Sequence, residues 1–138
     1  MTPPSESHPT TTARHGAQPL RWLLPAGFWA LLLAVTTLSL LPAAYLPPQA
    51  FSLWDKAQHA LAFAALAVAA RLAYPRHPGR VLLGLLLYGG AIELAQAATG
   101  WRYGEWSDWL ADAVGLAAGA ALAWGGRRLA ERPQLLHS

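Results

Sequence analysis

The sequence predicts an all-α membrane protein, a four-transmembrane-helix bundle with both termini cytoplasmic. Three observations lead there. Of 138 residues, 54% are apolar and only 12% charged, and the mean hydropathy is +0.27. Soluble domains carry about 25% charged residues, so an ordinary soluble enzyme and a disordered chain are both excluded. The apolar residues arrive in four blocks, with the charges between them. The basic residues are also divided unevenly among the connections, as described below.

Residues 1–20 are rich in Pro, Thr, Ser and His without apolar period, and read as a disordered cytoplasmic tail. Trp22 to Leu41 is an uncharged stretch of about 30 Å as a helix, long enough to cross a bilayer. A signal peptide is the competing reading, but the apolar core is too long and further apolar blocks follow. Pro42, Pro47 and Pro48 break the chain. Ser52-Leu-Trp-Asp55 has the form of a capping box, which starts a second helix near Leu53 that runs to Ala73. Tyr74-Pro75 and Pro78-Gly79 make the next turn. The third helix covers Val81 to Thr99, and the fourth runs from Asp108 to Trp124 with Ser107 as N-cap and Gly125-Gly126 as its stop. The membrane domain therefore spans 21–126, and 127–138 form a second cytoplasmic tail.

Arg14, Arg21, Arg71, Arg76, Arg80, Arg127, Arg128 and Arg132 fall on the tails and the second loop. The other two loops bring only Lys56 and Arg102, each beside acids. Such a bias places the arginine-rich side in the cytoplasm. Trp54, Trp101, Trp106 and Trp109 then form an outer aromatic belt, with Trp22 and Trp124 at the inner interface. The net charge of +3 is thus a topology signal, and no nucleic-acid partner is expected. The absence of cysteine excludes thiol nucleophiles and Cys-type metal sites.

With this topology the polar residues collect at one level, the outer face. Asp55, Lys56 and His59 start helix two, Glu93 and Gln96 end helix three, and Arg102, Glu105, Asp108 and Asp112 follow. Asp55, His59 and Phe63 are four apart and share a face; so do Gly89, Glu93, Gln96 and Gly100, and Asp108, Asp112, Gly115 and Gly119. Gly115 and Gly119 form a small-xxx-small packing strip, and Gly89 gives helix three a similar close approach. Gly89 and Gly90 on one side, with Gly115 and Gly119 across, are expected to close the backbones around Glu93.

In order and spacing, Asp55-Lys56-x-x-His59-x-x-x-Phe63, Glu93-x-x-Gln96, Arg102 six before Asp108, and Gly115 with Gly119 resemble the VanZ-like family. The likeness covers about Leu53 to Trp124. One departure is Asp112, where the family commonly has Asn. The resemblance implies a small bacterial cytoplasmic-membrane protein of the cell envelope, and a link to glycopeptide (teicoplanin) resistance. It does not supply a reaction.

Each candidate has a plainer alternative. Asp55 can be the acidic member of a cap, Lys56 a snorkelling anchor, His59 a hydrogen-bonded structural histidine, Asp112 a helix-dipole partner and Arg102 a loop anchor. Glu93 is the strongest functional candidate, since an ionisable group inside a span costs about 2.5–3.5 kcal/mol. A metal site of His59, Glu93 and Asp112 is chemically sensible, but none of the spacings matches a known metal motif, so no metal and no other cofactor are expected. No Ser-His-Asp triad is visible either, because Ser52 and Ser107 are accounted for as caps.

The leading functional expectation is an outer-leaflet pocket that binds an anionic envelope lipid or its phosphate-bearing headgroup. Lys56, His59 and Arg102 would face the phosphate, and Asp55, Glu93, Gln96, Asp108 and Asp112 would orient them or bind sugar hydroxyls. The first alternative is a membrane-embedded enzyme with His59 and Glu93 as an acid–base pair. A small proton-coupled exporter comes third, since no polar trail leads toward the cytoplasmic side.

Overall fold

In the computed structural model, residues 18–45 and 53–131 are described. They form four helices, α1 (Gln18–Leu40), α2 (Leu53–Ala73), α3 (Pro78–Thr99) and α4 (Trp106–Glu131), with a short 3-10 turn at Ala43–Tyr45. No strand occurs among the described residues. Residues 1–17, 46–52 and 132–138 lie outside the description, and with them most of the N-terminal tail, the proposed Ser52 cap and Arg132.

The helix ends differ from expectation in instructive ways. α1 begins at Gln18 rather than Trp22, so Pro25 falls inside the helix instead of in its first turn. α3 begins at Pro78, whose fixed φ and missing N–H suit a first helical position, with His77 as N-cap. Ser107 does not cap α4. The helix starts at Trp106, and the carbonyl of Glu105 accepts from the Trp109 and Asp108 amides. α4 also continues through Gly125-Gly126 to Glu131. Neither glycine has a positive φ, and without a left-handed turn a glycine costs a helix only about 1 kcal/mol. Gly100, by contrast, ends α3 at φ 78°.

Successive helices run antiparallel, which gathers the C-terminal ends of α1 and α3 with the N-terminal ends of α2 and α4. The tightest contact is between α2 and α4. A Cβ at Gly115 or Gly119 would strike the backbone carbonyls of Ala60 and Ala64, so the two glycines let α4 lie directly on the α2 backbone. Phe63, Leu66, Ala67, Ala70, Leu85, Ile92 and Leu116 fill the centre, joined by Phe28 and Val35 from α1.

The distribution of polarity is inverted relative to a soluble bundle. Leu33 and Leu38 on α1, Leu61 and Leu72 on α2, Leu87 and Leu94 on α3, and Leu110, Val114 and Leu122 on α4 are all exposed. His59, Glu93, Gln96, Asp108 and Asp112 are buried. Two helices, over Trp22–Leu40 and Pro78–Thr99, are long and apolar enough to cross a membrane.

Candidate functional site at one end of the bundle

Asp112 is the innermost polar group, with 0% exposure. Its Oδ1 lies 3.0 Å from Nδ1 of His59, which is itself 8% exposed. Asp112 Oδ2 rests against α3 at Gly89, where a Cβ would come within 2.6 Å of it. Gly89 thus makes room for the carboxylate and for the Phe63 ring beside it. Phe63 in turn stacks on Tyr88, with ring centroids 6.0 Å apart.

Glu93 faces inward from α3. Its Oε2 accepts a 2.8 Å hydrogen bond from the Glu105 amide. One residue earlier, Gly104 is pressed on the Glu93 carbonyl, and no side chain fits there. The α3–α4 loop therefore folds back over the last turns of α3 and fixes the carboxylate through a backbone donor.

Lys56 lies in an ion-pair network beside this cluster. Its Nζ is 2.9 Å from Asp108 Oδ1 and 3.1 Å from Glu105 Oε2, and Ser107 Oγ donates to the same Glu105 oxygen at 2.9 Å. The Lys56 ammonium, then the Ser107 hydroxyl, hold the Glu105 carboxyl below its ordinary range. Gln96 and Arg102 converge on a single acceptor, the Ser39 carbonyl at the end of α1. Gln96 Nε2 is 2.9 Å away and Arg102 Nε 3.2 Å. Trp101 Nε1 reaches the next carbonyl, of Leu40, at 3.3 Å. These donors satisfy the orphan carbonyls of a helix terminus.

A cavity of about 220 Å³ opens between α1, α2 and the α3–α4 loop, with Ser39, Asp55, Gln58, His59 and Arg102 in its wall. A second, more apolar one of about 500 Å³ lies between α3 and α4, against Glu93, Trp106 and Trp109. The His59–Asp112–Glu93 cluster forms the partition between them. Residues far apart in the chain also meet here as potential metal ligands. His59, Glu93 and Asp112 each bring one ligand atom within 4.8 Å of the others, and Asp55, His59 and Asp108 do likewise.

The structure thus brings Asp55, His59 and Arg102 to one cavity, and sets Glu93 and Asp112 directly behind His59. It does not bring Lys56 to that cavity, because two acids hold it elsewhere. Gly115 and Gly119 do not close around Glu93. They face α2, and the close approach at Glu93 comes from Gly104. Trp109 is not a free belt residue, since its Nε1 donates to the Leu86 carbonyl at 2.9 Å. The side chain of Trp54 lies outside the description. Gly104 and the Glu105 amide were missed by sequence reasoning. A glycine between Tyr103 and Glu105, in a loop only six residues long, was the signal available for a tight return.

No protein-family model, curated protein or solved structure matches this chain.

Proposed function

We propose that this chain is a four-span envelope membrane protein of the VanZ-like kind, with both termini cytoplasmic, and that its polar end binds the anionic headgroup of an envelope lipid. The support for four spans is the inverted surface. α2 and α4 are not among the helices apolar enough to cross by composition, but polar residues of both are turned inward, His59 on α2 and Asp108 and Asp112 on α4. Their outward faces are Leu61, Leu72, Leu110, Val114 and Leu122, all exposed. Lipid meets only those outward residues. The arginine bias supplies the orientation.

The observation that carries the headgroup reading is Arg102. Its Nε is committed to the Ser39 carbonyl, and the rest of its guanidinium has no partner among the described residues. It shares the cavity wall with His59 and Gln58. A guanidinium so anchored presents a fixed fork to phosphate or carboxylate oxygens. About 220 Å³ accommodates a headgroup rather than a whole lipid, whose chains would remain in the bilayer. Lys56 has no part in this, being neutralised by Glu105 and Asp108. Binding of purified protein to vesicles doped with an isoprenoid phosphate tests the reading. Arg102→Gln should weaken it by about tenfold, the worth of a charged hydrogen bond. Equal affinity of wild type for purely zwitterionic vesicles would remove the proposal. The link to teicoplanin resistance rests on the resemblance alone, and is checked by the teicoplanin susceptibility of a host lacking the protein.

A second reading, an enzyme acting on such a lipid, is favoured by one geometry. His59 faces the cavity with Asp112 buried behind it at 3.0 Å, the arrangement of a general base oriented by a carboxylate. Glu93 is bonded to the loop amide rather than to His59, so Asp112 replaces it as the partner. Turnover of a labelled isoprenoid phosphate, abolished by His59→Gln, distinguishes catalysis from binding.

A further inference from the structure

We infer that His59, Glu93 and Asp112 together bind one divalent metal cation, of the zinc or manganese kind, in the partition between the two cavities. The inference does not rest on the headgroup reading.

Three helices contribute one ligand each: α2 gives His59, α3 Glu93 and α4 Asp112. All three are buried, with exposures of 8%, 8% and 0%. Their ligand atoms lie within 4.8 Å of one another. On a common ion with bonds of about 2.0–2.2 Å, two ligands stand up to about 4 Å apart. Small side-chain adjustments close that difference.

The second observation is what these groups lack. Glu93 Oε1 and Asp112 Oδ2 are fully buried and have no hydrogen-bond partner. A buried, unpaired carboxylate oxygen is costly. A cation bound to both oxygens satisfies both at once.

Charge points the same way. This end of the bundle carries Asp55, Glu93, Glu105, Asp108 and Asp112 against Lys56 and Arg102. Lys56 is paired with Glu105 and Asp108, and Arg102 reaches the Ser39 carbonyl. Glu93 and Asp112 are left with two negative charges and no basic side chain bonded to them except neutral-or-protonated His59. One dication balances them, with His59 as neutral ligand. The mixture of one imidazole with two carboxylates suits zinc or manganese better than calcium or magnesium. Supporting contacts are in place: the Glu105 amide holds Glu93 Oε2 at 2.8 Å, which fixes the carboxylate's direction as outer-shell donors do in metal sites. His59, in the cavity wall, gives the ion a route of entry and an open coordination position.

The test uses the full chain purified in detergent, stripped with chelator, loaded separately with Zn²⁺ and Mn²⁺, dialysed and assayed by elemental analysis. Wild type should retain one equivalent of at least one of the two metals, and loading should raise its melting temperature. Glu93→Gln and Asp112→Asn should each weaken retention by at least about tenfold, with helicity checked by circular dichroism. Arg102→Gln should retain metal as wild type does, which separates this site from the headgroup reading. Absence of stoichiometric metal in wild type, or retention by Glu93→Gln and Asp112→Asn equal to wild type, overturns the inference. Should those variants fail to fold, the melting shift of wild type decides alone: no shift with either metal counts against the site.

Discussion

At one end of the bundle the helices meet through carboxylates, an imidazole and an ammonium; at the other they meet through aromatic rings. Phe28 packs edge-on against Trp29 and Tyr74, each with centroids 5.5 Å apart, and Trp29 Nε1 donates to the Tyr74 hydroxyl at 2.9 Å. Arg76, Arg80, Arg127 and Arg128 there are exposed, and Arg71 reaches only the nearby Pro75 carbonyl. Every buried side-chain atom without a partner among the described residues belongs to Glu93, Gln96 or Asp112, at the opposite end. Packing alone therefore does not demand buried acids in this fold, since the aromatic end does without them. An end that tolerates unpartnered oxygens is giving up stability, and such concessions collect where a molecule binds something.

Both ends depend on the α2–α4 seam, and breaking it gives the largest effect. Gly115→Leu drives a side chain into the Ala60 backbone and should cost about 3 kcal/mol, at the upper end of overpacking penalties. Thermal unfolding in detergent reads this directly. A melting temperature near that of wild type would mean the seam is not closed as described. Next comes the polar end itself. His59→Ala strips Asp112 Oδ1 of its partner and should destabilise by about 2 kcal/mol. At the aromatic end, Trp29→Phe keeps the ring and loses the bond to Tyr74, for about 1 kcal/mol. Measured side by side, these two variants sharpen the contrast; a reversed order would dissolve it.

The smallest effect is a pH dependence. Glu105 titrates below its ordinary 4.5, first through Lys56 and then through Ser107. Its contribution is complete above that value and fades as pH falls through the lower, folded-state value. As pH falls below 4.5, wild type should lose slightly more melting temperature than Lys56→Met, which has no pair to lose. The pair is open to solvent, so added salt should shrink the difference.

What the sequence disclosed divides along the same physical line. Periodicity within a helix is local, so the Asp55–His59–Phe63 face and the inward stripe of Glu93 and Gln96 were legible from spacing. Four antiparallel helices then put Glu93 and Asp112 at one end with His59. Pairings between helices were not legible. Whether Lys56 turns to a phosphate or to Asp108 depends on where α4 begins, and that start lies two residues earlier than Asp108. Likewise, Gly115 and Gly119 announced a close contact but not its partner, which proved to be the Ala60 and Ala64 carbonyls. Gly104 carried the information for the Glu93 contact, yet a lone loop glycine does not say which backbone it approaches.

The way α1 ends bears on how the chain is assembled. Thr36 and Thr37 bond back to the Leu32 and Leu33 carbonyls of their own helix. The Ser39 and Leu40 carbonyls, in contrast, wait for Gln96, Trp101 and Arg102, some 57 to 63 residues later in the chain. On the four-span reading, α1 enters the bilayer first, and Thr36 and Thr37 have acceptors in their own helix before Tyr88 of α3 joins Thr36. Its last turn cannot be completed until α3 and the following loop have been synthesised. The arrival of Arg102 therefore completes that turn and the cavity wall in one step, and Asp112 reaches His59 only once α4 has followed. The site comes into being only when assembly is over, which keeps a half-built chain from presenting it.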